Sequence, residues 1–151
     1  MIQYILILFV SATLISCNST ETIAQENNLS ASYETWVAGV RDGGSGVNFY
    51  VNLKTELSEE IELKKVIFRG HEVPFEKQDA LHFIARIKTE GNQQKSDGDE
   101  SQIYTSPKNA LTLAENEAIL IFFKNGKEIR KTIKEVKEKP MLQYPSTKPK
   151  N

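Results

Sequence analysis

The chain has 151 residues, a formal net charge of -1, and 39% hydrophobic and 26% charged side chains. That fits one ordinary globular domain and leaves no room for two. With 9% aromatic residues, eight Gly, five Pro and one Cys, the disordered, collagenous and disulfide-stapled classes are excluded, and no internal disulfide can form.

At the N terminus, Ile2 to Ser16 (IQYILILFVSATLIS) is almost wholly apolar or small, and no charged side chain precedes Glu21. As a helix this stretch would rise about 22 Å, short of the roughly 30 Å hydrocarbon slab, so residues 1–16 read as a secretory leader rather than a permanent span. Met1 to Tyr4 lacks the Lys or Arg usual in a leader's first segment. The stretch ends in Leu14-Ile15-Ser16-Cys17, which resembles the lipobox of bacterial lipoproteins: a branched residue, then a small one, then the sole cysteine. The resemblance implies cleavage before Cys17 and a thioether from its sulfur to diacylglycerol, which makes membrane lipid a partner through acylated Cys17. Each buried acyl methylene contributes about 0.8 kcal/mol, so a multiply acylated cysteine holds firmly. Cleavage after Ala24, with Thr22 three residues before the cut, is the alternative and leaves a soluble protein. Asn18 after the cysteine fits outer-membrane sorting, so the expected location is the cell envelope, lipid-anchored at the outer membrane.

Residues 17–32 read as the lipidated cysteine and a polar tether with a typical reach of roughly 20 Å. From Tyr33 the pattern turns to period two, the mark of strands with one buried face. Tyr33 to Val40 is aromatic and β-branched, and Trp36 is expected in the core. Gly46 to Lys54 places Val47, Phe49, Val51 and Leu53 on one face, with Asp42 to Gly46 as the hairpin connection before it. In Ile61 to Arg69, Ile61 and Leu63 are out of phase with Val66 and Phe68, which predicts a bulge at Lys64-Lys65. His71 to Phe75 reads as an edge strand because of Pro74, and Leu81 to Lys88 as a further strand. Leu111 to Asn116 is expected to form one helical turn. Ala118 to Phe123 (AILIFF) should be central, and Asn125-Gly126 predicts a type I′ turn into Glu128 to Val136, for which a helix is the competing reading.

Seven or so short strands argue for an all-β fold: an antiparallel β-sandwich over residues 33–138, with an immunoglobulin-like Greek key as the leading topology and a small β-barrel as the alternative. Residues 139–151 read as a Pro/Lys-rich tail. The Cys17 lipobox, Trp36-Val37-Ala38-Gly39-Val40, Gly43-Gly44-Ser45-Gly46, Phe68-Arg69-Gly70 and Phe122-Phe123-Lys124-Asn125-Gly126 together resemble the small uncharacterised lipoproteins of Bacteroidetes-type bacteria. That resemblance implies an anchored domain and brings no activity with it.

Chemistry-bearing motifs are sparse. The glycine loop has no following Gly-Lys-Ser/Thr, and the second glycine of a nucleophile elbow would fall on Val47, which leaves a hairpin loop, with Asp42 and Ser45 as ligand contacts. His71 and His82 with a carboxylate would meet the count for zinc, yet their spacing gives no support. Glu90 to Gln102 has no apolar side chain and holds Asp97, Asp99 and Glu100. Those carboxylates could hold calcium, but the spacing of a helix-flanked calcium loop is missing, so a solvated connection is expected. Residues 124–151 carry nine Lys and Arg against three Asp and Glu, a net +6, leaving -7 for residues 1–123. A basic C-terminal arm suits anionic lipid or an acidic glycan. The expected function is a non-catalytic binding or assembly module with an envelope protein or glycan as partner, no nucleic acid, no cofactor and no metal. A small envelope enzyme or inhibitor with a site near the polar loop or His71 is the alternative.

Overall fold

A computed structural model describes residues 29–92 and 106–145. Among the described residues there is no helix, and none therefore long and apolar enough to cross a membrane. Ten strands follow one another: β1 Leu29–Ala38, β2 Ser45–Leu53, β3 Ile61–Phe68, β4 His71–Pro74, β5 Glu76–Lys77, β6 His82–Thr89, β7 Ala118–Lys124, β8 Lys127–Ile133, β9 Lys137–Glu138 and β10 Leu142–Tyr144. They form a 6-stranded sheet, β10-β1-β2-β6-β5 with β9 also on β1, and a 4-stranded sheet, β4-β3-β7-β8. The two sheets pack face to face and do not close into a barrel.

The order β1-β2-β6-β5 opposite β4-β3-β7-β8 is the A-B-E-D over C′-C-F-G arrangement of an immunoglobulin-like Greek key. The chain crosses from one sheet to the other between β4 and β5, at Pro74 and Phe75. Proline there removes a ladder donor at an edge, where none is needed.

Local pattern explains most of these elements. The phase break in β3 is a real irregularity, with the register against β7 shifting between Leu63 and Lys65. Asn125 and Gly126 adopt φ of 50° and 77°, as a type I′ turn requires, and join β7 to β8 from Lys124 to Lys127. β7 lies between β3 and β8, which accounts for its apolar residues on both faces. The inter-sheet core centres on Phe49, Phe68, Phe122, Leu120, Val51 and Val66, all fully buried. Phe49 and Phe68 have ring centroids 5.0 Å apart in a tilted contact.

Four expectations need correction. Leu29 to Ser32, read as tether, is the first part of β1 and pairs with Leu53 to Tyr50. Ser30, Ala31 and Ser32 are too small to show the alternation that Leu29, Ala31 and Tyr33 in fact follow. Part of the stretch read as tail is strand: Leu142, Gln143 and Tyr144 pair in parallel with Trp36, Val37 and Ala38. Parallel pairing of segments so far apart leaves no local trace in sequence. Leu111 to Asn116 makes no helix, only a single hydrogen-bonded turn at Glu115-Asn116, closed by the Glu117 N–H donating to the Ala114 carbonyl at 3.0 Å. Trp36 is buried, but in phase with Glu34 rather than Tyr33, so it lies outside the inter-sheet core and packs edge-on to Tyr144 at 6.2 Å.

Candidate functional site

Inward-facing side chains of β1, β2 and β6 form rungs across the larger sheet: Ala31, Val51 and Phe83; Tyr33, Phe49 and Ala85; Thr35, Val47 and Ile87; Val37, Ser45 and Thr89. The first two rungs belong wholly to the hydrophobic core. The last two carry three hydroxyl groups in positions where the alternation calls for apolar residues. There the space between the sheets is left unfilled: a cavity of about 310 Å³ is lined by these last two rungs, by Arg69 and His71 from the β3–β4 turn, by Met141, and by Trp36 and Gly46. No acidic residue lines it. Gly46 is required, because a Cβ on it would lie 2.2 Å from the Ile87 carbonyl oxygen and 2.7 Å from Trp36 Nε1.

The hydroxyl side of the cavity is ordered by directional bonds. Ser45 Oγ donates to the Gly91 carbonyl at 2.9 Å and lies 2.7 Å from Thr89 Oγ1. Since Ser45 has one proton, Thr89 is the donor of that second bond. The glycine loop is held from outside by Asn92, whose Nδ2 donates to the carbonyls of Ala38 and Val40 at 3.0 Å each and whose Oδ1 accepts from the Asp42 N–H at 3.2 Å. Asp42 (φ 64°) is exposed and does not reach the cavity.

The opposite wall is cationic. Arg69 and Gly70, at φ of 48° and 75°, make the β3–β4 turn. The Arg69 guanidinium lies 4.5 Å from the Tyr33 ring centroid and 5.3 Å from that of Phe68. Its Nη2 donates to Tyr33 Oη at 2.8 Å and its Nε to the Glu115 carbonyl at 3.3 Å. Burial and a hydrogen bond to Glu138 raise the Tyr33 phenol above its ordinary pKa, partly offset by Arg69. Among the described residues no carboxylate is within ion-pair distance of Arg69. His71 Nδ1 is 3.0 Å from the Ser106 carbonyl oxygen, which can only accept, so the ring proton sits on Nδ1. Ser106 is itself tied to β6, its N–H donating to Lys88 O at 3.1 Å and its Oγ accepting from Lys88 N at 2.8 Å. A second, more open cavity of about 470 Å³ is also lined by Arg69, together with Leu111 and Leu113.

The two histidines are far apart. His82 pairs with Asn52 near the far end of the larger sheet and bonds Asp79 through Nδ1 at 2.8 Å. Thr89 lies seven positions further along β6, about 23 Å at strand rise. The Leu81 N–H and His82 hold the Asp79 carboxyl below its ordinary pKa. Among the described residues no three His, Cys, Asp or Glu converge on a metal position. Ser45 is engaged by Thr89 and Gly91 rather than by His71, so no serine–imidazole couple is assembled. What this geometry can do is hold a molecule reversibly against a cation, an imidazole, hydroxyl oxygens and an apolar floor.

Of the residues singled out in sequence, Ser45 and His71 line the cleft and Asp42 lies just outside it. Cys17, Asp97, Asp99 and Glu100 fall outside the described residues. Thr35, Thr89, Arg69 and Met141 were not singled out. Thr35 and Thr89 carried a signal, as polar residues in the apolar phase of their strands. Met141 carried none.

The fold and cleft define an immunoglobulin-like β-sandwich with one open, base-lined end. No family model, curated protein or solved structure matches the chain.

Proposed function

We propose that the protein is a lipid-anchored bacterial envelope lipoprotein whose sandwich is a non-catalytic binding module, held to the membrane through Cys17 and engaging an envelope partner with its open end. The observation that supports this reading is that β1 starts at one end of the sandwich and the cleft lies at the other. Leu29, where β1 begins, pairs with Leu53 at the closed end, and Val37, eight residues and roughly 26 Å further along β1, borders the cleft. The large exposed apolar side chains of the described residues, Val40, Leu111, Met141 and Leu142, all lie at the open end. Such side chains beside an arginine are the usual makings of an interface centre. Residues 18–28 separate Cys17 from β1, at most about 38 Å of extended chain. An anchored domain would therefore stay near the bilayer and present the cleft away from it.

The test combines fatty-acid labelling with site-specific photo-cross-linking in the native envelope. Labelling should be lost in Cys17→Ser, and a cross-linker at Val40 should capture a partner that one at Asn125, in the closed-end turn, does not. Label that survives Cys17→Ser overturns the anchor. Equal capture from both positions overturns the assignment of the open end.

A further inference from the structure

The chemistry of the cleft narrows what it takes. Both ionisable groups on its wall, Arg69 and His71, are basic, although the chain as a whole carries 20 Asp and Glu against 19 Lys and Arg. Of the five N–H donors of a guanidinium, Arg69 uses one on Tyr33 and one on Glu115, which leaves three for a ligand. The nearby Tyr33 and Phe68 rings and the two hydrogen bonds hold the guanidinium in place at the cavity wall. A planar fork of this kind matches a carboxylate better than a point charge does.

The backbone adds a second, independent observation. Four non-glycine residues of the described chain have positive φ: Asp42, Arg69, Asn92 and Asn125. Three are Asp or Asn, which tolerate that region; arginine does not share their preference, and a type I′ turn favours Asn where Arg69 stands. A side chain kept at a position its backbone disfavours marks a functional constraint. Val37, Val47 and Ile87 on the last rungs and Met141 from the chain before β10 give the cavity apolar lining, and at about 310 Å³ the cleft is at the small end of ligand sites.

We propose that this cleft binds a small amphiphilic carboxylate, its anionic head on Arg69 and its apolar body between the last rungs of the larger sheet and Met141. The proposal deepens the reading of the open end as the binding end and does not depend on the anchor. Two sources share that chemistry: a free alkyl acid and the C-terminal residue of a peptide.

Calorimetric titration of the full chain carrying Cys17→Ser, with hexanoate against hexanol and N-acetyl-leucine against N-acetyl-leucinamide, separates them. At least one acid should bind at least tenfold more tightly than its neutral counterpart, and which acid does so identifies the source. Arg69→Asn, which suits the turn, should weaken acid binding at least tenfold with the melting temperature kept or raised. Arg130→Asn, removing an exposed cation that pairs with Glu128 on β8, should change nothing. Neutral probes binding as well as the acids, no acid binding at millimolar concentration, or equal losses in the two arginine variants would overturn the proposal. A partner still captured at Val40 in that event would leave the open-end assignment standing without this ligand class.

Discussion

Where β1 enters, Leu29, Leu57, Ile61 and Leu81 pack against the core and close the gap between the sheets; at the other end that gap is bordered by Thr35, Ser45, Thr89, Arg69 and His71 and stays open. The same strands build both ends, so the difference is one of side-chain choice and not of topology. Apolar plugs remove area from water and add to stability. A guanidinium with solvent access adds little, but it leaves donors for a ligand. The middle of the sandwich and its closed end are therefore expected to carry the stability, while the open end is free to carry recognition.

Truncations on the two sides should differ most. Phe75, whose ring lies 6.2 Å from that of Phe49 and 6.3 Å from that of Phe83, should cost about 3 kcal/mol on change to alanine. Met141→Ala, at a side chain 55% exposed, should cost under about 0.5 kcal/mol. Urea denaturation measures both, and similar midpoints for the two variants would erase the contrast.

A smaller difference separates two glycines. Gly46→Ala meets the Ile87 carbonyl oxygen at 2.2 Å and should cost about 2 kcal/mol or more through displaced backbone. Gly126→Ala meets nothing within 4 Å but sits at φ +77°, where the strain alone is about 1 kcal/mol. Thermal melts should rank Gly46→Ala below Gly126→Ala, and only the former should alter ligand binding at the open end. The reverse ranking would mean that the sheet accommodates a methyl beside Trp36.

The smallest effect is electrostatic. Hydrogen bonds from Lys65 and Asn109 hold the Glu72 carboxyl below its ordinary pKa, and the Asn109 bond ties the 106–109 segment to β4 beside the cleft. A depressed folded-state pKa means that this contribution is complete above the unfolded value, near 4.5, and is lost as pH falls through the lower folded value. With Lys65 half exposed, solvent screening limits it to about 0.5 kcal/mol. Glu72→Gln should lower the melting temperature by about 3 °C at pH 7 and by nothing measurable at pH 3. A gap that persists at pH 3 would point to packing and not to charge.

Much of the sandwich could be read from side-chain phase, because a strand with one buried face writes its period directly into the chain. The β3 bulge, the Asn125-Gly126 turn, the edge character of His71 to Pro74 and the central place of β7 all came from such local rules. The cleft was only half legible. Ser45 and His71 stood out as residue types, but their meeting depends on β2 and the β3–β4 turn reaching the same end of two different sheets. Arg69 was read only as the end of the strand-like segment Ile61 to Arg69 and within the quoted Phe68-Arg69-Gly70, since nothing local tells such an arginine that it will lie over Tyr33, 36 residues earlier in the chain.

The amino-acid order alone determined the all-β class, the strand phases and the tight turns, each being a short-range consequence of side-chain size, branching or charge. Only the tertiary structure decided that β1 begins at Leu29, that the chain returns through β9 and β10 alongside it, and that the sandwich is sealed at one end and open at the other. Those outcomes rest on contacts between residues distant in sequence, whose energies depend on where the sheets bring them and not on their neighbours along the chain.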